Sequence, residues 1–316
     1  MSDADSRRSV VLERARSQQL VAPSELKPAV TVYASPAWRG VEGDIWLAQW
    51  EDTTRIYKHY HPDIAFYVDA ASAMECAEQT ALLGVAPLVT HRWPEQALLE
   101  MQHLGAGWRC AGLQDAANPD IRTSIIAAKK SVQAGPRYAR TSSVFDEIRS
   151  LYSYCLESKA NLPRYIEAFL DFARRAEQAI GAVGTDPVPS HRDGNTSNLM
   201  IGPQQEVMLL DFDLAANSDP FEDVGCYLAE MYECEPEART GFEEWHGRFD
   251  EALYQRAVVY GMLDNLRWAL IATGMAATSP RRTLEFSKYA CWRYLRFEQH
   301  SQQSHASDRL RRLTAR

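Results

Sequence analysis

The chain has 316 residues, of which 46% are apolar and 24% charged, and its formal net charge is −8. This is enough chain for two packed lobes or one large domain, and the composition is that of a globular protein. The negative balance speaks against a general nucleic-acid surface, no apolar run reaches the length of a membrane span, and the polar start MSDADSRRSVVLERARSQQ has no signal-peptide core.

In chain order, residues 1–28 read as a leader, mobile or weakly helical. AVTVYAS, DIWLAQW and TRIYKHY are predicted strands, parted by the turns RGVEG and EDTT. DAASAMECAEQTALLGVAP is a predicted helix, with Met74, Ala77, Ala81 and Leu82 at helical spacing and a stop at Gly84 and Pro87. QALLEMQ is another strand. After residue 110 the chain turns helical, with a break at VQAGPRYARTSS and a strongly amphipathic LPRYIEAFLDFARRAEQAIGA. Helices are expected from Asp223 to about Gln299, then a polar, frayed tail at 301–316. The expectation is an α+β chain: a small β-rich lobe over 29–104 and a larger, mainly helical lobe over 105–300.

Six cysteines (Cys76, Cys110, Cys155, Cys226, Cys234, Cys291) stand at no paired or metal-type spacing. They read as reduced thiols of a cytoplasmic protein. His59 and His61 lack further ligands nearby in sequence and read as surface polars. Between Asp213 and Glu251 twelve acids face two bases, Arg239 and Arg248, so this segment alone carries −10. It reads either as a solvated acidic helix surface or as a site that attracts a cation.

The stretch SHRDGNTSNLMIGPQQEVMLLDFD concentrates the chemistry. Asn198 lies five residues after Asp193, and Asp211 thirteen after Asn198, at the end of an apolar strand, Val207 to Leu210. Mg²⁺ takes hard oxygen ligands, one or two from protein and the rest from phosphates and water. Asn198 and Asp211 suit that role, leaving Asp193 to orient a hydroxyl and accept its proton. The alternative is a set of loop polars and a helix cap.

HRDGNTSN followed by LLDFD resembles the catalytic loop and metal segment of protein-kinase-like phosphotransferases. The resemblance is nearest to the aminoglycoside phosphotransferase and choline kinase families. It implies a two-lobed protein-kinase-like fold with ATP as co-substrate and Mg²⁺ as cofactor. Asp213 stands where protein kinases have the glycine of Asp-Phe-Gly, and DPFEDVG follows at once, which favours a small-molecule kinase. By the same resemblance Asp223 buttresses the catalytic loop. Lys58 contacts nucleotide phosphates and pairs with Glu75, or with Glu78 one turn on. Gly40 and Gly43 approach phosphate, although the small-residue pattern of choline kinases is missing there. The backbone from Met101 to His103 holds adenine.

SVFDEIRSLYSYCLESKANLPRYIEAFLDFARRAEQAI and YGMLDNLRWALIA look most like the bacterial choline kinase branch. Tyr260, Asp264 and Trp268, spaced by four, put an acid between two aromatics on one helix face, which suits a quaternary ammonium. They could equally be core aromatics with Asp264 paired to Arg267. Asp213 is a further candidate at the acceptor, and Trp245, Trp292 and Tyr294 are aromatics nearby in the chain. The expected activity is phosphorylation of a hydroxyl on a small cationic metabolite such as choline or ethanolamine. An aminoglycoside phosphotransferase and a non-catalytic kinase-fold regulator are the alternatives.

Overall fold

The computed structural model describes residues 3–19, 21–35, 37–301 and 306–314. Helix α1 (Asp3–Gln19) precedes a five-stranded antiparallel sheet. The sheet comprises β1 (Glu25–Pro28), β2 (Gly43–Gln49), β3 (Thr54–Tyr60), β4 (Val89–Trp93) and β5 (Leu98–Gln102), in the order β1-β2-β3-β5-β4. The period of two divides β3 between two faces. Tyr57 packs with Val11 and Ala15 of α1 and donates to Glu100 of β5 at 2.7 Å. Ile56, Lys58 and Tyr60 line a cleft on the opposite face. Helix α2 (Ala70–Ala81), capped by Asp69 through Ala71 and Ser72 N–H, covers that side with Met74, Cys76 and Ala77.

Three expectations are corrected here. The leader is helical over 3–19 and docked: Arg7 donates to Asp44 and to the carbonyls of His59 and Tyr60 at the end of β3. AVTVYAS forms no strand, because Glu25–Pro28 takes the free edge of β2 and the chain then leaves the sheet, bridging only Tyr33 to Arg39. The tail is helical over 306–314, where Leu310 and Leu313 are buried and Arg309 donates to Gln255 and Glu235.

The second lobe is helical, built from α3 (Pro119–Gln133), α4 (Val144–Glu157), α5 (Ile166–Val183), α6 (Pro220–Met231), α7 (Glu235–His246), α8 (Glu251–Thr278), α9 (Phe286–Ser301) and α10 (Ala306–Thr314). Helix α8 is buried on all sides over most of its 28 residues, as expected of a central helix. DPFEDVG opens α6: Asp219 caps it through Phe221 N–H, Pro220 starts it, and Gly225 lets it cross α8. A Cβ on Gly225 would lie 2.3 Å from the Ala257 carbonyl oxygen. Between the lobes run two small sheets, β6 (Arg109–Cys110), β8 (Leu199–Ile201) and β9 (Val207–Leu209) in one, β7 (Val188–Ser190) and β10 (Ala216–Ser218) in the other. Among the described residues no helix is long and apolar enough to cross a membrane.

Candidate active site

The loop between β7 and β8 carries Asp193, and it is held from beneath. Asp223 of α6 accepts the backbone N–H groups of His191 and Arg192 at 3.3 and 3.2 Å. Lys129 of α3 bridges Asp223 (2.7 Å) and the Asp193 carbonyl (2.9 Å). His191 is fully buried, its Nε2 2.8 Å from the Leu210 carbonyl, so it ties the loop to the segment after β9. Arg192 and Asp211 both adopt positive φ, +63° and +65°, at an expected cost of about 1–3 kcal/mol each that surrounding contacts must outweigh. For Arg192 those contacts are Glu147, Glu222 and the Leu214 carbonyl. Arg267 extends the network from Glu147 and Glu222 to Asp264.

The Asp193 carboxylate accepts Asn195 N–H at 2.7 Å and Asn198 Nδ2 at 2.8 Å. Burial pushes its pKa above the ordinary value. Asn198 keeps its amide oxygen without a protein donor among the described residues.

Across the cleft, Lys58 Nζ lies 2.7 Å from both oxygens of Asp213 and 2.8 Å from Asp211. The pairing with Glu75 is therefore corrected. Glu75 sits partly exposed on α2 beside Gln79, and Glu78 pairs with Arg92 at 2.8 Å. Asp211 and Asp213, on either side of Phe212, hold the Lys58 ammonium instead. Glu42, from the turn before β2, joins them, holding Trp38 Nε1 at 2.5 Å and Tyr67 hydroxyl at 3.2 Å.

Burial works against charge on every member of this cluster. It lifts Glu42 to about 7 and, with Asp211 alongside, holds Asp213 well above the carboxylate range. For Asp211 burial is outweighed by Lys58, which leaves it below its usual value. Oxygens of Glu42, Asp211 and Asp213 all lie within 4.8 Å of one another. Three crowded carboxylates against one ammonium, with the Asn198 amide oxygen nearby, are a donor set that fits a hard divalent cation.

The larger cavity, about 390 Å³, lies between the sheet and β8–β9. Ile45, Leu47, Ile56 and Leu99 face it from above, and Met200 and Leu209 from below. Met101 and His103 line it at the connection between lobes, as does Gly40. Gly43 does not: it lets β2 approach β3, since a Cβ there would meet the His59 carbonyl oxygen at 2.8 Å.

The smaller cavity, about 20 Å³, has room for roughly one water. Asp193, Asp213, Asp264 and Trp268 line it. Tyr260 is directed elsewhere, donating to Asp219 at 2.8 Å and packing near Phe145. Asp264 is held by Arg267 at 2.5 Å. Sequence reasoning missed Trp38 and Tyr289, whose ring centroids lie 4.8 Å apart at a 47° tilt, with Trp38 also 5.7 Å from Trp268. It missed Glu42, Tyr67, Lys129, Glu230 and Arg293 as well; no motif marks them. Trp245 is core beside Tyr227, Tyr294 packs on Phe169, and Trp292 is exposed. His59 is buried rather than at the surface, while His61 lies 3.3 Å from Asp44.

The sequence profile of the phosphotransferase enzyme family matches residues 34–261. No curated protein is significantly similar in sequence. Among solved structures, a choline/ethanolamine kinase family protein from Mesorhizobium loti superposes with a TM-score of 0.80 at 16% identity, covering 98% of this chain and 99% of the other. The choline kinase LicA from Streptococcus pneumoniae superposes at 0.76 and 15% identity, covering 96% and 98%. The gentamicin–APH(2")-IIa complex gives 0.63 at 13% identity, covering 94% and 96%. With the family match over more than half its length and a shared protein-kinase-like fold, the chain belongs to the phosphotransferase enzyme family and is a small-molecule phosphotransferase.

Proposed function

We propose that the protein transfers the γ-phosphoryl group of ATP to the hydroxyl of a small, ammonium-bearing alcohol. One observation carries the reading: Glu42, Asn198 and Asp211 line both cavities, so the nucleotide-sized cleft and the aromatic pocket holding Asp193 meet at the cation-ligand set. Met101 and His103 would border the adenine, and Lys58 would exchange Asp213 for phosphate oxygens. Mg²⁺, held by Asp211 and Asn198 with Glu42 and Asp213 in reach, supplies neutralisation of phosphate charge when bound.

Asp193 orients the acceptor hydroxyl and takes its proton as the new oxygen–phosphorus bond forms and the bond to the ADP oxygen breaks. Its partners Asn195 and Asn198 fix the carboxylate for that geometry. Trp38, Trp268 and Tyr289 line the pocket, and aromatic side chains there suit an ammonium group.

ADP release measured with choline, ethanolamine, an aminoglycoside and a neutral sugar, each offered separately, tests the reading. Turnover with a compact ammonium alcohol is expected. Turnover with only the neutral sugar would remove the cationic pocket, and turnover with the aminoglycoside alone would move the acceptor to the antibiotics.

A further inference from the structure

A purely cationic acceptor leaves one group of the small cavity without work. Arg293 of α9 lines it. Its Nε donates to the Tyr289 hydroxyl at 2.8 Å, its Nη1 to the Asn265 amide oxygen at 3.0 Å, and it lies over the Tyr289 ring. All three contacts are uncharged. Among the described residues the half-buried Arg293 has no carboxylate within ion-pair distance, whereas the buried arginines Arg192, Arg256 and Arg267 of this lobe pair with Glu147, Asp219 and Asp264.

Of the acids whose fields reach Arg293, Asp264 is already claimed by Arg267. The other, Glu230, lines the same cavity and makes no ion pair among the described residues; it accepts only the long Thr196 N–H contact of 3.4 Å. Arg293 is half-buried, and the planar fork of a guanidinium left without a counter-ion matches a carboxylate. The cavity therefore offers, beside Asp193, a base and an acid that lie in each other's field without a direct ion pair, together with aromatic side chains.

We propose that the acceptor is zwitterionic: an alcohol whose ammonium group lies beside Trp38 and Trp268 on the Glu230 side and whose carboxylate is held by Arg293. This rests on the phosphotransferase reading of the same pocket and narrows its substrate class.

Two matched pairs of alcohols test it, L-carnitine against choline and L-homoserine against 3-amino-1-propanol, with kcat/KM read from ADP release for the wild type, Arg293→Lys and Arg293→Gln. A charge-assisted bidentate contact predicts that in at least one pair the wild type prefers the zwitterion by about tenfold or more. Arg293→Gln should collapse that ratio through the acceptor KM, leave the ATP KM unchanged, and be partly rescued by Arg293→Lys. Preference for the amino alcohol in both pairs overturns the proposal while leaving the cationic-alcohol reading in place. A ratio untouched by Arg293→Gln, or a loss seen in the ATP KM instead, also overturns it, the latter by giving Arg293 to the transferred phosphoryl group. No turnover with any of the four sinks both readings. The wild-type preference needs no variant, so it decides even if Arg293→Gln fails to fold.

Discussion

Replacing Glu42 with glutamine tests the carboxylate cluster through stability. Glu42 is 3% exposed, and burial, then the neighbouring Asp211, move its carboxyl from 4.5 to about 7. The folded protein therefore keeps a proton there over a range in which the unfolded chain has released it. The contribution is fully present below about pH 4.5 and is lost as pH rises through the folded value near 7. At about 1.36 kcal/mol per pH unit, the loss across that window is roughly 3 kcal/mol. Glutamine keeps an acceptor for Trp38 and Tyr67 but cannot ionise. In urea unfolding with chelator present, wild-type stability relative to Glu42→Gln should fall by roughly 2–3 kcal/mol between pH 5 and pH 7.5. Adding Mg²⁺ at pH 7.5 should raise the wild type more than the variant, because a divalent cation takes the place of the proton. A difference constant within about 0.5 kcal/mol at both pH values would refute the burial argument. Equal Mg²⁺ responses would put Glu42 out of the cation's reach.

Asp193→Asn should bind nucleotide normally and lose turnover by about 10²–10⁴-fold, the usual worth of a positioned base; a wild-type rate in the ADP-release assay would end its assignment. Lys58→Met should raise the ATP KM about tenfold or more through loss of a charge-assisted contact, while Glu75→Gln leaves it unchanged; equal losses in both variants would restore the Lys58–Glu75 pairing. Trp268→Ala removes a ring face worth about 0.5–2 kcal/mol and should raise the acceptor KM alone; a matching rise in the ATP KM would mean that the cleft had collapsed.

What was legible in the sequence was chemistry carried by contiguous segments. Asp193, Asn198 and Asp211 belong to one loop–strand–loop unit, so their spacing already constrains their meeting, and Asp223 follows on the next helix. The strands β2 and β3 announced themselves by β-branched and aromatic residues. Chain order misled for Lys58, because it ranked helix α2 by sequence position and could not weigh Asp211 and Asp213 against it. Tyr260 failed for a geometric reason: four-residue steps drift by about 40° each, so it lies roughly 80° around α8 from Trp268 and meets Asp219 instead. Trp38, Tyr289 and Arg293 converge from a loop of one lobe and a helix of the other. Only the folded topology brings them together. The tail and leader looked polar because each buries a narrow stripe while its arginines reach inward to carboxylates and carbonyls.

The linked pairs of Arg192 and Arg267 with Glu147, Glu222 and Asp264 bear on how the acceptor preference can evolve. Because Asp264 is one end of that buried charge lattice, a change there removes one of three carboxylates from Arg267, and the remaining two also steady Arg192 next to Asp193. A lineage drifting towards a new acceptor through α8 must therefore exchange several residues together, passing through weakened intermediates. Trp38 faces the same pocket from a surface loop of the small lobe, and its side-chain nitrogen answers to a single partner, Glu42. Substitutions in that loop can reshape the pocket one at a time, so divergence in acceptor choice should accumulate there while the floor of the pocket stays the same.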